Sequence, residues 1–153
     1  MAQVWSFFAA NYFDLKNITS LSGGTEATAF HSNTVKTLQE VGFTFDVVDF
    51  LHQNPTYSIS FEGSETTLIA FSKTFDDDSN TKPFIAITTC NDTDENCPFI
   101  PDALQRFHLP FEDPKIADGS IEESAEYLKT NQQIAAEIFF VFSEVQKQIV
   151  ISK

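Results

Sequence analysis

Two cysteines and one carboxylate are the residues of this chain whose types and spacing could support chemistry. Cys90 and Cys97 enclose six polar, turn-forming residues, 91–96, and Asp113 stands directly before Pro114. A thiolate can act as a nucleophile, a redox group or a metal ligand, and a carboxyl group can transfer a proton. From spacing alone the thiols are either a redox pair or a buried Cys90 with an idle Cys97. Asp113 is equally an ordinary turn residue.

Metal binding is a weaker interpretation of the same stretch. Cys90, Cys97 and His108 could be zinc ligands, but structural zinc sites pair cysteines two to four residues apart and need a fourth ligand. The acidic run that starts at Asp92 is similar to the start of a calcium loop. It places Cys97 where such a loop needs glycine and Ala103 where it needs glutamate. The sequence therefore predicts no metal site and indicates no cofactor.

The elements that must position these residues are two short strands. The apolar run Phe84–Ile87 is β-branched and aromatic, follows Pro83, and predicts a buried strand that ends just before Cys90. A second strand is predicted near Arg106–Leu109, shortly before Asp113. Ligands bind at the carboxyl ends of strands in open α/β sheets. We therefore expect the thiols and the carboxylate at one edge of a sheet.

The remaining pattern predicts one α/β domain over residues 1–153, with no linker or repeat. Helices are predicted at Met1–Phe13, Asn33–Val41 and Ile121–Val145. A strand is predicted at Ile18–Leu21, an extended segment at Phe43–Phe50, and a hairpin from Tyr57–Phe61 and Thr66–Phe71. The longest helix carries an apolar stripe of Ile134, Ile138, Val141 and Val145. Ile149–Ile151 is either a frayed helix end or a short strand that enters the sheet.

Composition excludes several classes of function. The net charge of −13 disfavours nucleic acid and anionic membrane surfaces, because both need clustered Lys and Arg. Two cysteines are too few for a secreted disulfide scaffold, and no apolar run is long enough to span a bilayer. We therefore expect a cytoplasmic protein.

Several segments together resemble the low-molecular-weight tyrosine phosphatase superfamily, and in particular its thioredoxin-coupled arsenate reductases. The resemblance rests on the cysteine spacing, on Asp113-Pro114, and on three further stretches: 22–28, 31–42 and 132–143. It implies a three-layer α/β/α sandwich around a mostly parallel sheet, with an inserted β-hairpin. It also implies that Cys90 and Cys97 form a redox disulfide and that Asp113 is the general acid. The implied partners are a phosphoprotein or oxyanion substrate and thioredoxin.

One part of that family's pattern is missing. Its catalysis needs a Cys-x5-Arg phosphate loop, and the single arginine here is Arg106. A loop from Cys90 would need arginine at Asn96, and one from Cys97 would need it at Ala103. We therefore expect a chain that lacks the family's first strand and nucleophile and is inactive alone. The alternatives are a protein-binding pseudo-phosphatase and a thiol redox protein that uses Cys90 and Cys97.

Overall fold

A computed structural model describes residues 1–50, 53–91 and 99–151 of the chain. Its elements, in chain order, are α1 (Ala2–Tyr12), α2 (Ser32–Glu40), β1 (Phe43–Asp49), β2 (Thr56–Phe61), β3 (Leu68–Ala70), β4 (Phe84–Thr88), β5 (Ala103–His108), a 3₁₀ turn (Pro114–Ala117) and α3 (Glu123–Ile151). The predicted helices and strands are confirmed at these places, with one exception at residues 18–21. The prediction that the strand at Phe84–Ile87 is buried is wrong, since Ile85 is 58% and Ile87 43% exposed. The fold is α/β.

Strands β1, β2 and β3 form an antiparallel sheet in that order. Phe43 pairs with Phe61 and Ile59 pairs with Leu68, so apolar side chains from all three strands share one face. Gly63 has a φ of +81° in the turn that follows β2, which a side chain would strain. The predicted hairpin is therefore confirmed, and β1 extends it to three strands.

Strands β4 and β5 form a separate parallel pair. Within the described residues these two strands form the only parallel ladder, and the remaining parallel contact is an isolated bridge between Gly24 and Thr74, so the implied three-layer sandwich with a mostly parallel sheet is not confirmed. Local patterns identified each strand, but they do not determine which strands pair or in which direction, because alternation is the same in both kinds of sheet.

The predicted strand Ile18–Leu21 is wrong as a strand. These residues make no sheet pairing and instead run along the start of α1. The Gln3 side-chain amide donates to the Ser20 carbonyl at 3.1 Å, and the Ser20 hydroxyl donates to the Gln3 carbonyl at 2.8 Å. A β-branched run becomes a strand only when a neighbouring backbone edge pairs with it.

Helix α1 is apolar on opposite sides because it joins two cores. Val4 and Phe8 pack with Leu38 of α2 and with the inner face of the antiparallel sheet. Ala9 and Ala10 pack against α3, where the buried residues are Ile134, Ile138 and Phe142. The indole N–H of Trp5 donates to Asn131 Oδ1 at 2.9 Å, and Asn131 is 1% exposed. This bond satisfies a polar group between the two helices.

The predicted apolar stripe of α3 is buried in its first part and partly exposed toward the carboxyl-terminal end. Ile134 and Ile138 are buried as expected, but Val141 and Val145 are each more than a third exposed. The helix continues through Ile151, so the strand interpretation of Ile149–Ile151 is wrong. The backbone N–H groups of these residues belong to the helix, where they bond to carbonyls one turn earlier instead of to a partner strand. No helix in the described ranges is long and apolar enough to cross a membrane.

Candidate functional site

The carboxyl ends of β4 and β5 lie together, as the sequence predicted for two parallel strands. Thr88, the last residue of β4, is 8% exposed, and its hydroxyl lies 3.0 Å from His108 Nδ1 at the end of β5. The chain then turns back across the end of β4. The amide of Leu109 donates to the Thr88 carbonyl at 2.9 Å, and that of Phe111 donates to the Thr89 carbonyl at 3.3 Å. The segment that leads to Asp113 is thereby fixed beside the strand that leads to Cys90.

Cys90 follows β4 by two residues and is disulfide-bonded. The described part of the chain contains no free cysteine. Cys97 lies outside the described residues, so its pairing with Cys90 stays a prediction. The exit of a paired strand is a suitable place for a redox cysteine, because the preceding residues are held by the ladder with β5.

Asp113 caps the 3₁₀ turn. Its Oδ1 accepts a 3.0 Å hydrogen bond from the amide of Lys115, and Pro114 occupies the first position of the turn. This is the geometry expected of a turn-forming carboxylate. Glu112, the residue before Asp113, contacts α3: its carbonyl accepts a 3.4 Å hydrogen bond from the Thr130 hydroxyl. Asp113 therefore stands at a defined place, two residues after the bond of Phe111 to Thr89. Its role as a general acid stays a prediction.

A cluster of His31, Asp118 and Tyr127 joins three distant parts of the chain, and sequence reasoning missed it. The Tyr127 hydroxyl donates to Asp118 Oδ1 at 2.8 Å and lies 3.1 Å from His31 Nδ1. His31 Nε2 is 3.3 Å from Asp118 Oδ2, and the rings of His31 and Tyr127 stack. Burial, followed by the hydrogen bond to Asp118, raises the pKa of Tyr127 to about 12.

The cluster connects the start of α2, the segment after the 3₁₀ turn, and α3. It therefore helps to fix the loop that carries Asp113 against the long helix. No local pattern places residues 31, 118 and 127 together, because three scattered polar residues have no periodicity of their own. Only the packing of the three elements reveals it.

No group of three or more potential metal ligands occurs within residues 1–50, 53–91 and 99–151. The zinc alternative depended on Cys97, which lies outside these ranges. Within them, the β4 exit combines a sulfur, a hydroxyl and an imidazole on Cys90, Thr88 and His108. The arrangement can support thiol–disulfide chemistry.

Comparison with known proteins finds similarity to arsenate reductases. The chain is 29% identical over 102 residues to an arsenate reductase of Bacillus subtilis (strain 168), and the match covers 67% of this chain and 58% of that protein. An arsenate reductase of Oceanobacillus iheyensis matches with the same identity and coverage. The chain thus spans somewhat over half the length of the curated relatives it matches. No family model matches, and neither does any solved structure.

At the level of protein class, this is an α/β chain with a disulfide-bonded cysteine at a strand exit. More particularly, it is similar to arsenate reductases over two thirds of its length. The similarity supports the resemblance to the superfamily of arsenate reductases and low-molecular-weight tyrosine phosphatases.

Proposed function

We propose that this chain is an arsenate-reductase-like thiol protein in which Cys90 and Cys97 form a reversible disulfide. The observation that carries the proposal is the disulfide-bonded state of Cys90 at the exit of β4, in a chain similar to two arsenate reductases. The six residues between the cysteines are polar and turn-forming, which suits two thiols that must meet in the oxidised state and separate in the reduced state.

The proposed reaction is thiol–disulfide exchange. A thiolate of an external dithiol attacks one sulfur of the Cys90–Cys97 disulfide and forms a mixed disulfide, which releases the other sulfur as a thiolate. The second thiol of the partner then resolves the mixed disulfide. The chain gains two electrons and two protons, and the partner leaves as a disulfide. Thioredoxin is the partner that we propose for this step.

Asp113 is proposed as the general acid of an oxyanion reaction, but the 153 residues do not supply the rest of that chemistry. A phosphate or arsenate oxyanion needs a thiolate nucleophile within a cradle of N–H donors and an arginine. This sequence contains no Cys-x5-Arg segment. We therefore propose that the 153-residue chain undergoes redox exchange and does not by itself hydrolyse phosphate esters or reduce arsenate.

A binding function without chemistry is the second candidate, and the exposed face of the parallel pair favours it. Ile85 and Phe107 are 58% and 54% exposed, and neighbouring strands present them on one side together with Ile87. Exposed apolar groups of this kind are typical of protein-binding surfaces. A pseudo-phosphatase of this class would keep its binding activity after both cysteines are replaced by serine.

The redox proposal is tested by counting thiols in the native protein before and after treatment with reduced thioredoxin. We expect no reactive thiol in the oxidised protein and two after reduction, with a mass increase of two hydrogens. Cys90→Ser is the matched variant and should leave Cys97 reactive under both conditions. Two reactive thiols that persist through mild oxidation of the wild-type chain would refute the proposal.

A further inference from the structure

The parallel pair β4–β5 turns its larger apolar side chains toward solvent. Ile85 and Ile87 of β4 are 58% and 43% exposed, and Phe107, which pairs with Ile87, is 54% exposed. The alternate residues Ala86 and Thr88 are buried, so β4 is covered on one face only. Among the described residues, neither apolar core contains a member of β4 or β5. The exposed face is therefore an apolar surface that neither core uses.

This exposed face has the dimensions of one helix. Parallel sheets are normally covered on both faces, and the cover is usually helical. Two strands about 4.8 Å apart, with their side chains, present a surface about as wide as one α-helix, which is roughly 10–12 Å across. The five residues Phe84–Thr88 rise about 16 Å, which a helix covers in roughly 11 residues. A single helix of about three turns therefore matches the face in both directions.

Acidic side chains stand at the amino end of the same pair. Lys82, which precedes β4, and Asp102, which precedes β5, form an ion pair of 2.6 Å. The hydrogen bond and the charge of Asp102 raise the pKa of Lys82. The nearby charges of Asp78 and Asp76 raise it further, and both of these carboxylates are exposed. No cation of the described residues forms an ion pair with either of them. This end of the pair therefore carries an excess of negative charge.

The apolar face and the adjacent acids together indicate the chemistry of a partner. An apolar surface beside unpaired carboxylates is complementary to an apolar surface beside lysine or arginine. A second copy of the chain would bring a net charge of −13 against the same charge, and this repulsion disfavours it as the occupant. We propose that the exposed face of β4–β5 receives one amphipathic helix of a basic partner protein, whose lysine or arginine side chains lie at Asp76 and Asp78. The proposal rests on the binding function given above as the second candidate, and it names the chemistry of the partner.

The test measures by calorimetry how three peptides of roughly 15 residues bind to the full 153-residue chain. The first peptide carries leucine along one helical face and lysine on both flanks. The second has glutamate in place of lysine. The third is the lysine peptide with a proline at its centre, which breaks the helix. Each is measured at low and at high salt, because salt screens exposed charges. Circular dichroism follows the helicity of the peptide.

Ile85→Thr tests the apolar part of the site. Ile69→Thr is the matched control, since Ile69 is 52% exposed in β3 of the antiparallel sheet and both changes keep a β-branched residue in a strand. We expect the lysine peptide to bind Ile85→Thr about tenfold more weakly than the wild type, because less apolar surface is removed from water when the helix docks. Ile69→Thr should bind the peptide as the wild type does.

Asp76→Asn combined with Asp78→Asn tests the charged part of the site. The control combines Asp46→Asn with Glu65→Gln, which removes the same charge from exposed positions in and beside the antiparallel sheet. At low salt we expect the first pair to weaken the lysine peptide roughly fivefold, and the control pair to weaken it less than about twofold. The difference should disappear at high salt. The glutamate and proline peptides should both bind the wild type more weakly than the lysine peptide.

Several results would overturn the proposal, and they separate it from the functions on which it rests. Equal binding of the lysine and glutamate peptides to the wild type, or no binding of the lysine peptide, would exclude a basic partner. Equal binding of the lysine and proline peptides would exclude a helix. Equal binding of the lysine peptide to Ile85→Thr and Ile69→Thr would exclude the face itself, and with it the second candidate function.

A second copy of the chain is the remaining occupant that the test can reveal. A molecular mass that rises with protein concentration in the wild type, but not in Ile85→Thr, would assign the face to self-association and overturn the basic partner. The thiol count belongs to a different experiment, so the redox proposal stands or falls separately from all of these outcomes.

Discussion

Replacing Tyr127 by Phe removes the hydroxyl that connects α3 to Asp118 and His31, and the cost can be estimated from the structure. Tyr127 is 2% exposed, and its hydroxyl donates to the Asp118 carboxylate at 2.8 Å. Hydrogen bonds to charged groups are worth roughly 1.5–3 kcal/mol. Since about a third of the Asp118 side chain is exposed, water can partly replace the lost donor. We therefore expect a loss near the lower end, about 1.5 kcal/mol of unfolding free energy.

The same substitution has a pH dependence whose sign follows from the raised pKa. The pKa of Tyr127 is about 12 in the folded chain, against 10.0 for an unperturbed tyrosine. Between these values the unfolded chain releases the proton and the folded chain keeps it, so the stabilisation is present below pH 10 and is lost as pH rises. The slope is about 1.4 kcal/mol per pH unit. The advantage of the wild type over Tyr127→Phe should therefore disappear roughly one pH unit above 10.

The assay is denaturant unfolding followed by the fluorescence of Trp5, a residue of α1 that packs against α3. Tyr12→Phe is the matched control, because Tyr12 is 75% exposed. The control should differ from the wild type by less than about 0.5 kcal/mol. If Tyr127→Phe is as stable as Tyr12→Phe at pH 7, the hydroxyl contacts do not hold the elements together and the reasoning is refuted.

Three further predictions concern the cores and the site. Ile138→Ala should lower the unfolding free energy by about 2–5 kcal/mol because Ile138 is 2% exposed between α1 and α3, whereas Val150→Ala, at a 66% exposed position of the same helix, should change it by less than about 0.5 kcal/mol in the same denaturant assay. Gly23→Ala should cost about 1–3 kcal/mol, because its Cβ would overlap the backbone of Phe75, and a stability equal to the wild type would contradict that contact. The 153-residue chain should hydrolyse an aryl phosphate at the background rate, and Asp113→Ala should leave that rate unchanged; turnover that disappears in Asp113→Ala would show a nucleophile that the sequence does not indicate.

Local sequence patterns were sufficient to predict most helices and strands, and also the strand end that carries Cys90. The alternation at Tyr57–Phe61 and the turn at Gly63 specify a hairpin because period-two burial and a positive φ are local properties. The end of β4 was predictable because the apolar run Phe84–Ile87 stops shortly before Cys90. The cluster around Tyr127 was not, because its three members belong to elements far apart in sequence.

The error at Ile18–Leu21 has a different cause. Its β-branched start and polar centre fit an edge strand, and the prediction treated pairing as a consequence of that composition. In the structure residues 18–21 and β3 line the same cavity, and two hydrogen bonds between Gln3 and Ser20, one donated by each side chain, hold the segment along α1. Composition gives a segment the ability to pair, whereas the distance to a partner edge decides whether it does.

The two sheets divide the chemistry of the chain between them. Cys90 and Asp113 are positioned by β4, β5 and the contacts of residue 112 with α3. The cavity at Lys73 is built from β3, the start of α1 and the segment 18–24. No described hydrogen bond joins the two sheets to each other. Distant substitutions with no shared partner act independently, so Gly23→Ala, which strains the contact with Phe75, should leave the number of reactive thiols unchanged.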